Sequence, residues 1–255
     1  MTSYVTSIDL LRHGDTGHRS YRGQLDDSLL DQGWRQMREA ARGRDWDAIV
    51  SSPLQRCAAF AQELSFQRGL PLSLDARLRE YHFGAWQGKA VDAIAAEEGD
   101  ALARFWGDPV AYPPPGAERF GDFTARLTAA ADEIARDYAG RRVLVVTHGG
   151  VIRLLRCLSV GRRYTDMLNI DVAHASLHAL SWPPGAVGEG VRDPADGVAA
   201  DQGGSNRADE KHSDESRPDE SRPDESRLYE SGFDKSEFDK SRPDKSSPEP
   251  DRIDR

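Results

Sequence analysis

Apolar and polar positions follow two periodicities along the first 182 residues, and these periodicities predict strands and helices in turn. Short apolar runs bounded by turn residues predict strands at Ile8–Leu11, Ala48–Ser52, Leu72–Leu74, Val143–Val146 and Ser176–Trp182. Apolar side chains three and four positions apart predict helices at Leu30–Ala41, from Pro53 in a first helical turn to about Gly69, at Phe120–Tyr138, and at Val151–Leu158. Strands that alternate with helices in this order indicate an α/β fold, with a mostly parallel sheet covered by helices on both faces.

The apolar pattern ends at Pro183, and this change in composition divides the chain. From there onward Gly, Pro, Asp, Glu, Ser, Lys and Arg predominate, so the segment buries too little apolar surface to offset its chain entropy. We therefore predict one folded domain at residues 1–182 and a disordered acidic, serine-rich tail at 183–255.

The predicted tail contains a pentapeptide repeat, marked by a serine at every fifth position from Ser216 to Ser246. A period of five suits neither a helix nor a strand, and prolines occupy places where a β-solenoid needs apolar side chains. A solvated repeat is the simpler interpretation. A tether or partner-binding segment that docks Phe233 and Phe238 is the alternative, and its partner is unknown.

Charge and cysteine content narrow the functional classes. Nearly all of the net charge of −9 belongs to the tail, because residues 183–255 hold 20 acidic and 12 basic residues while residues 1–182 hold 23 and 22. A nearly neutral domain lacks the basic surface that nucleic-acid binding requires.

The two cysteines, Cys57 and Cys157, are typical of buried thiols in a reducing compartment. No targeting signal or apolar run of membrane-spanning length is apparent. We therefore expect a cytoplasmic protein with no membrane partner.

The candidate chemistry begins where the first predicted strand ends, at Arg12-His13-Gly14. A neutral imidazole is a good nucleophile at physiological pH, and a guanidinium group matches the oxygens of a phosphate. Gly14 would let the backbone approach an anion closely. The predicted strand Val143–Val146 is likewise followed by a histidine, His148, where the amide groups and dipole of the next helix favour an anion. A single histidine is more often a structural residue. The hypothesis of a phosphate site therefore depends on finding both His13 and His148 after predicted strands.

Two further side chains belong to the same predicted edge of the sheet. Arg56 follows the second strand and could reach over the crevice, although an isolated arginine is more often a surface residue. Glu80 lies in a loop dense in aromatic residues and glycine, where partial burial raises a carboxyl pKa toward values suited to general acid catalysis. The rival acid is His82, and the structural alternative is that Glu80 caps the chain locally or pairs with Arg77 or Arg79.

Four motifs resemble, in order and spacing, those of the histidine phosphatases, the phosphoglycerate-mutase-like superfamily. The motifs are Arg12-His13-Gly14, Ser51-Ser52-Pro53 with Arg56, Leu78-Arg79-Glu80, and Thr147-His148-Gly149-Gly150. The resemblance covers residues 5–182. Within the superfamily, the segments 22–27, 51–57 and 105–109 are most similar to the alpha-ribazole phosphatase group of cobalamin biosynthesis.

The resemblance implies a role for each residue. His13 would attack phosphorus and form a phosphohistidine, while Arg12, Arg56 and His148 hold the equatorial oxygens. Glu80 would protonate the leaving oxygen and then deprotonate water. Neither a metal ion nor another cofactor would be needed, because the arginines and a charged His148 supply the counter-charge.

The sequence departs from the family pattern in two places. Arg19 stands where many members carry an asparagine about six residues beyond the nucleophile, so we predict Arg22 as a replacement phosphate ligand. The family's Gly-Gly-Glu-Ser segment becomes Gly-Ala-Glu-Arg at 116–119, which predicts a different contact between this lid and the substrate.

Three functions from different classes are compatible with these features. The favoured one is a metal-independent phosphatase acting on a small phosphate ester, with alpha-ribazole 5′-phosphate as the candidate substrate. A phosphoglycerate-type mutase needs a basic lid, whereas residues 89–119 offer only the cations Lys89, Arg104 and Arg119 against several acids. A non-catalytic adaptor that works through its tail is opposed by the intact set of candidate catalytic residues.

Overall fold

The structure is a computed structural model that describes residues 6–183 of the 255-residue chain. Its strands are β1 (Ser7–Arg12), β2 (Ala48–Ser51), β3 (Leu72–Leu74), β4 (Arg142–Thr147) and β5 (Leu177–Leu180). Its helices are α1 (Asp31–Ala40), α2 (Gln55–Arg68), α3 (Val91–Glu98), α4 (Ala101–Gly107), α5 (Phe120–Asp137) and α6 (Gly149–Ser159). Short 3₁₀ turns lie at Ala76–Leu78, Gly84–Trp86 and Tyr164–Asn169.

The five strands form one sheet in the order β3-β2-β4-β1-β5. The first four strands in this order are parallel to their neighbours, and β5 runs antiparallel along β1 as an edge strand. The predicted α/β fold with a mostly parallel sheet is therefore confirmed, including the edge position of the last strand.

Alternate residues of the central strands face two separate hydrophobic clusters, because successive side chains of a strand point to opposite faces. Leu10, Val143 and Val145 pack in one cluster with the apolar sides of α5 and α6. Leu11 and Val146 pack in the other cluster with α1 and α2. Helices thus cover both faces of the sheet, which explains why β2 and β4 are buried on both faces.

Three features of the secondary structure differ from the sequence-based prediction. Helix α2 begins at Gln55, so Pro53 precedes the helix and does not lie in its first turn. Helices α3 and α4 were not predicted. They have 8 and 7 residues and bury only three side chains between them, namely Ile94, Leu102 and Phe105. Such short helices depend on tertiary packing more than on their own periodicity.

The three adjacent strands β2, β4 and β1 place their carboxyl ends side by side. Arg12 pairs in register with Thr147, and Ser51 pairs with Val146. The residues that follow these strands therefore open onto one crevice, where parallel α/β sheets bind their ligands.

Within residues 6–183, no helix is long and apolar enough to cross a membrane. The predicted disordered tail and its serine repeat, beyond Pro183, lie outside the described residues.

Candidate active site

His13 and His148 lie together at the carboxyl edge of the sheet, although 135 positions separate them in the sequence. The His13 backbone N–H donates to the carbonyl of Thr147 at 2.9 Å, which continues the β1–β4 pairing one residue beyond the strand. The two ring centroids are 5.3 Å apart, with the ring planes at 61°. The structure therefore brings the two predicted imidazoles to one place.

The contacts of His13 select one tautomer of its ring. Nδ1 lies 2.8 Å from the carbonyl oxygen of Gly14, and a carbonyl can only accept, so Nδ1 carries the proton and Nε2 keeps its lone pair. Burial, followed by the charges of Arg56 and Arg12, holds the pKa of His13 well below its usual value. The ring is consequently neutral at pH 7, which is the form that acts as a nucleophile.

Gly14 has a structural role besides the one expected from the sequence. A Cβ atom at this position would collide with the backbone carbonyl of Gly33 in α1. The loop that carries His13 is therefore pressed against the first turns of α1, and only glycine permits that distance.

His148 caps the amino end of α6 and is fully buried. Its Nε2 atom lies 2.8 Å from the hydroxyl of Ser52, and the Cys57 sulfur lies 3.7 Å from the same nitrogen. Burial and the charge of Arg56 lower the pKa of His148 well below its usual value, so its ring is neutral at pH 7. Neighbouring cations and burial thus oppose the charged form of His148 that the resemblance implies.

Two arginines direct guanidinium groups toward this crevice. Arg56 is 1% exposed and donates to the carbonyls of Leu25 and Gly23, each at 2.6 Å. Arg12 donates to the carbonyl of Val172 at 2.5 Å and contacts His174. Among the described residues, the buried Nε atoms of Arg12 and Arg56 have no hydrogen-bond acceptor. An unpaired buried donor is costly, so both groups are prepared to bind an anion.

Arg12 also lies close to another cation. Burial and the neighbouring charge of Arg153 lower the pKa of Arg12 to about 10, and the two guanidinium groups both approach Gly149. Arg12 remains charged at neutral pH, and a bound anion would relieve the repulsion between the two groups.

The carboxylate of Glu80 accepts hydrogen bonds from the backbone N–H groups of Gly150 at 3.0 Å and Tyr81 at 2.9 Å. The first of these contacts joins Glu80 to the amino end of α6, beside His148. The arginines proposed as structural partners are engaged elsewhere. Arg77 pairs with Asp75 and Glu133, and Arg79 donates to the carbonyl of Ala76.

The rival acid His82 is tied to its own loop. Its Nδ1 atom accepts from the backbone N–H of Gly84 at 3.1 Å, and Nε2 lies 3.3 Å from the amide nitrogen of Gln87. These contacts give the His82 ring a structural use, whereas the Glu80 carboxylate reaches the helix that His148 caps.

Arg22, the predicted replacement phosphate ligand, is engaged by a carboxylate. It donates to both oxygens of Asp27, at 2.6 and 2.7 Å, and to the hydroxyl of Ser20 at 3.0 Å. A contact between Arg22 and phosphate would therefore compete with the bidentate ion pair between Arg22 and Asp27. Arg19 is an exposed residue of the same loop.

Sequence reasoning did not single out His174 or Arg126. The His174 ring centroid lies 5.6 Å from that of His13. Arg126 of α5 donates to the backbone carbonyls of Arg79 and Glu80 and pairs with Glu118, so it anchors the loop that carries Glu80. Neither residue belongs to a motif. The one signal in the sequence is that Arg126 is a charged residue next to the apolar face of α5.

Metal-ligating residues do not form a cluster in the described part of the chain. No group of three or more His, Cys, Asp or Glu side chains within residues 6–183 is arranged to hold a metal ion.

A family model matches most of the region that the structure describes. The histidine phosphatase superfamily (branch 1) matches residues 8–188. A bifunctional protein of Mycobacterium tuberculosis is 37% identical over 181 residues, which is 68% of this chain and 50% of that protein. The chain therefore spans about half the length of this curated relative.

Solved structures share the same fold. A mycobacterial glucosyl-3-phosphoglycerate phosphatase in complex with VO3 matches with a TM-score of 0.63 and 31% identity, covering 69% of this chain and 92% of that one. The alpha-ribazole phosphatase of Shigella flexneri matches with a TM-score of 0.60 and 22% identity, covering 73% and 100%. At that identity the second likeness concerns the fold.

Proposed function

Since this chain belongs to the histidine phosphatase superfamily, we propose that it hydrolyses a small phosphate monoester through a phosphohistidine formed on His13. One observation carries the proposal. Two neutral imidazoles and two guanidinium groups with unpaired Nε donors meet at the carboxyl edge of three adjacent strands. That set offers a nucleophile and a group of cations that can hold a phosphoryl group.

The first step transfers the phosphoryl group to the enzyme. The Nε2 lone pair of His13 attacks phosphorus, a P–N bond forms, and the P–O bond to the alcohol breaks. Arg12, Arg56 and His148 hold the three equatorial oxygens as negative charge develops on them. The bound phosphate raises the proton affinity of His148, so this ring takes up a proton when the substrate binds.

Glu80 supplies the proton that the leaving oxygen needs. In the second step water attacks the phosphohistidine, Glu80 takes a proton from that water, the P–N bond breaks and inorganic phosphate leaves. The hydrogen bond from Gly150 supports this role, because it holds the carboxylate at the amino end of the helix that follows His148.

Hydrolysis is favoured over phosphoryl transfer between two hydroxyl groups of one substrate. Two of the three cations in residues 89–119 already have partners: Lys89 pairs with Glu97, and Arg104 pairs with Asp100 and lies over the Tyr112 ring. They are poorly suited to enclose a multiply charged intermediate.

We also propose that the enzyme is cytoplasmic, which the free, buried thiols of Cys57 and Cys157 support.

Two phosphate esters are proposed as the substrate. Alpha-ribazole 5′-phosphate follows from the sequence segments that resemble that group. A glycosyl phosphoglycerate follows from the structural relative of 31% identity. The position of Arg153 beside Arg12 favours the second, because such a substrate carries a carboxylate in addition to its phosphate.

A hydrolysis panel tests the proposed function. We expect release of inorganic phosphate from one or both candidate esters in the presence of a chelator, with the highest kcat/KM for the glycosyl phosphoglycerate. The His13→Asn variant should lose turnover by a factor of about 10⁴ or more, because an amide side chain does not act as a nucleophile toward phosphorus. Full activity of that variant, or isomerisation of phosphoglycerate in place of hydrolysis, would refute the proposal.

A further inference from the structure

The loop between the last 3₁₀ turn and β5 contacts Arg12 at two points. The carbonyl of Val172 accepts from Nη1 at 2.5 Å, and Nε2 of His174 lies 3.0 Å from Nη2. Since a guanidinium group can only donate, His174 must accept at Nε2 and is therefore neutral. These two contacts fix the plane of the guanidinium group and leave Nε as its unpaired buried donor.

The same loop also touches the backbone of His13. The backbone N–H of Ala175 donates to the carbonyl of His13 at 3.2 Å, and the Arg12 N–H donates to Ser176 at 3.1 Å. Because both residues of the Arg12-His13 pair are bound by this loop, its shape and the shape of the phosphate cradle are coupled.

Ala175 adopts a strained backbone conformation. Its φ of 55° lies in the left-handed region, and it is the one non-glycine residue with positive φ among residues 6–183. Such a conformation is strained for an alanine and persists only where the surrounding contacts impose it. Here the strain accompanies the turn that points His174 back toward Arg12.

The surroundings of the His174 ring agree with an acceptor role. The ring faces the charged groups of Arg12 and Asp15 and the neutral ring of His13. Partial burial and the charge of Arg12 lower the pKa of His174, which keeps the imidazole unprotonated at neutral pH.

We propose that His174 is a positioning residue for phosphoryl transfer, which holds Arg12 by its Nη2 group so that Nε faces the transferred phosphoryl group. This inference rests on the proposed function, since it assigns the aim of a guanidinium group in that same site. His174 does not itself exchange a proton or bond with the substrate. Its contribution is realised through Arg12.

Two substitutions at one position test this role in the full-length chain. His174→Gln keeps an acceptor about as far from the backbone as imidazole Nε2, whereas His174→Leu removes it. The matched control is His178→Leu. His178 lies on the adjoining strand and contacts Arg156 and the hydroxyl of Ser176, so its loss disturbs the same loop while His174 still accepts from Arg12. The measurements are kcat and KM for the preferred ester and the inhibition constant for orthovanadate, which mimics five-coordinate phosphorus.

We expect His174→Leu to lower kcat/KM by about 10- to 100-fold, the range for losing one hydrogen bond to a charged group. Its vanadate inhibition constant should rise by a similar factor, a result that mere loss of folded protein would not produce. His174→Gln and His178→Leu should stay within about threefold of the wild type.

Two results would overturn the inference while leaving the proposed function intact. One is an unchanged kcat/KM and vanadate constant in His174→Leu. The other is a His174→Gln variant as impaired as His174→Leu, which would show that an acceptor for Arg12 is not what His174 provides. A wild-type chain that hydrolyses no ester would instead refute the proposed function, and this inference with it.

Discussion

The protonation state of each imidazole at the strand ends is set by its immediate neighbours. His13 and His148 are buried, and Arg12 and Arg56 contribute positive charge to both rings. Both effects favour the neutral form, which suits a nucleophile in His13 and leaves His148 able to accept a proton when an anion arrives.

The positions of these residues were predictable because each follows a strongly apolar strand. Their protonation was not, since it depends on how many guanidinium groups converge on the rings. His174 escaped prediction for a related reason: its contact with Arg12 depends on the left-handed turn at Ala175 and on the antiparallel return of β5.

The proton donor can be tested by varying the leaving group. In Glu80→Gln, kcat/KM for an alkyl phosphate should fall by about 10²–10⁴-fold, because an alkoxide needs a proton to leave. The fall should be much smaller for p-nitrophenyl phosphate, whose phenolate leaves readily. Steady-state rates for both esters check this, with Glu97→Gln on the exposed Lys89 pair as the matched control. Equal losses for the two esters would argue against Glu80 as the acid.

At the scale of elements, the ends of β1, β2 and β4 and the start of α6 define the site. The strands and the helix after His148 were predictable from periodicity, since short apolar runs precede His13 and His148. The order of the strands in the sheet was not predicted. The small helices α3 and α4 were not, because their few buried side chains pack on residues distant in sequence.

The contact between α6 and Glu80 requires a glycine. A Cβ atom on residue 150 would lie 2.5 Å from Oε1 of Glu80 and 3.2 Å from its carboxyl carbon. Gly150→Ala should therefore displace the carboxylate and lower kcat by about tenfold or more, with a smaller change in KM.

Gly121→Ala provides the control for that substitution. Gly121 lies in α5, where an added Cβ meets nothing within 4 Å. Its kcat should stay within about twofold of the wild type, and its stability should rise by up to about 1 kcal/mol. A Gly150→Ala enzyme with unchanged kcat would show that the position of the Glu80 carboxylate does not limit turnover.

At the scale of the whole molecule, the buried histidines make stability depend on pH. Their folded pKa values lie below the unfolded value of about 6.5, so the unfolded chain binds more protons in acid. Stability is therefore complete above pH 6.5 and falls as the pH drops below it, by about 1.4 kcal/mol per pH unit for each such group.

Urea denaturation at several pH values between 7.5 and 5 measures how the free energy of unfolding depends on pH. The slope of the unfolding free energy below pH 6.5 should correspond to about three protons, one each for His13, His148 and His174, because the pKa of each lies below its usual value. The slope of His13→Asn should be lower by about one proton. Stability that is constant between pH 7 and 5 would contradict the inferred burial of neutral imidazoles.

The α/β fold of the described residues was predictable from periodicity. The domain boundary at Pro183, which rests on the change in composition, stays a prediction. The predicted disorder of the tail and its unknown partner stay predictions, because residues 184–255 lie outside the described part of the chain. The convergence of His13, His148 and the two arginines follows from strand order, which no single motif specifies.

Acid-quenched turnover followed by mass spectrometry tests the central claim most directly. During hydrolysis, the peptide that contains His13 should carry the mass of one phosphoryl group, and the label should be absent in His13→Asn. Turnover of the wild-type enzyme without this adduct, or with the phosphoryl group on His148 instead, would contradict the assignment of His13 as the nucleophile.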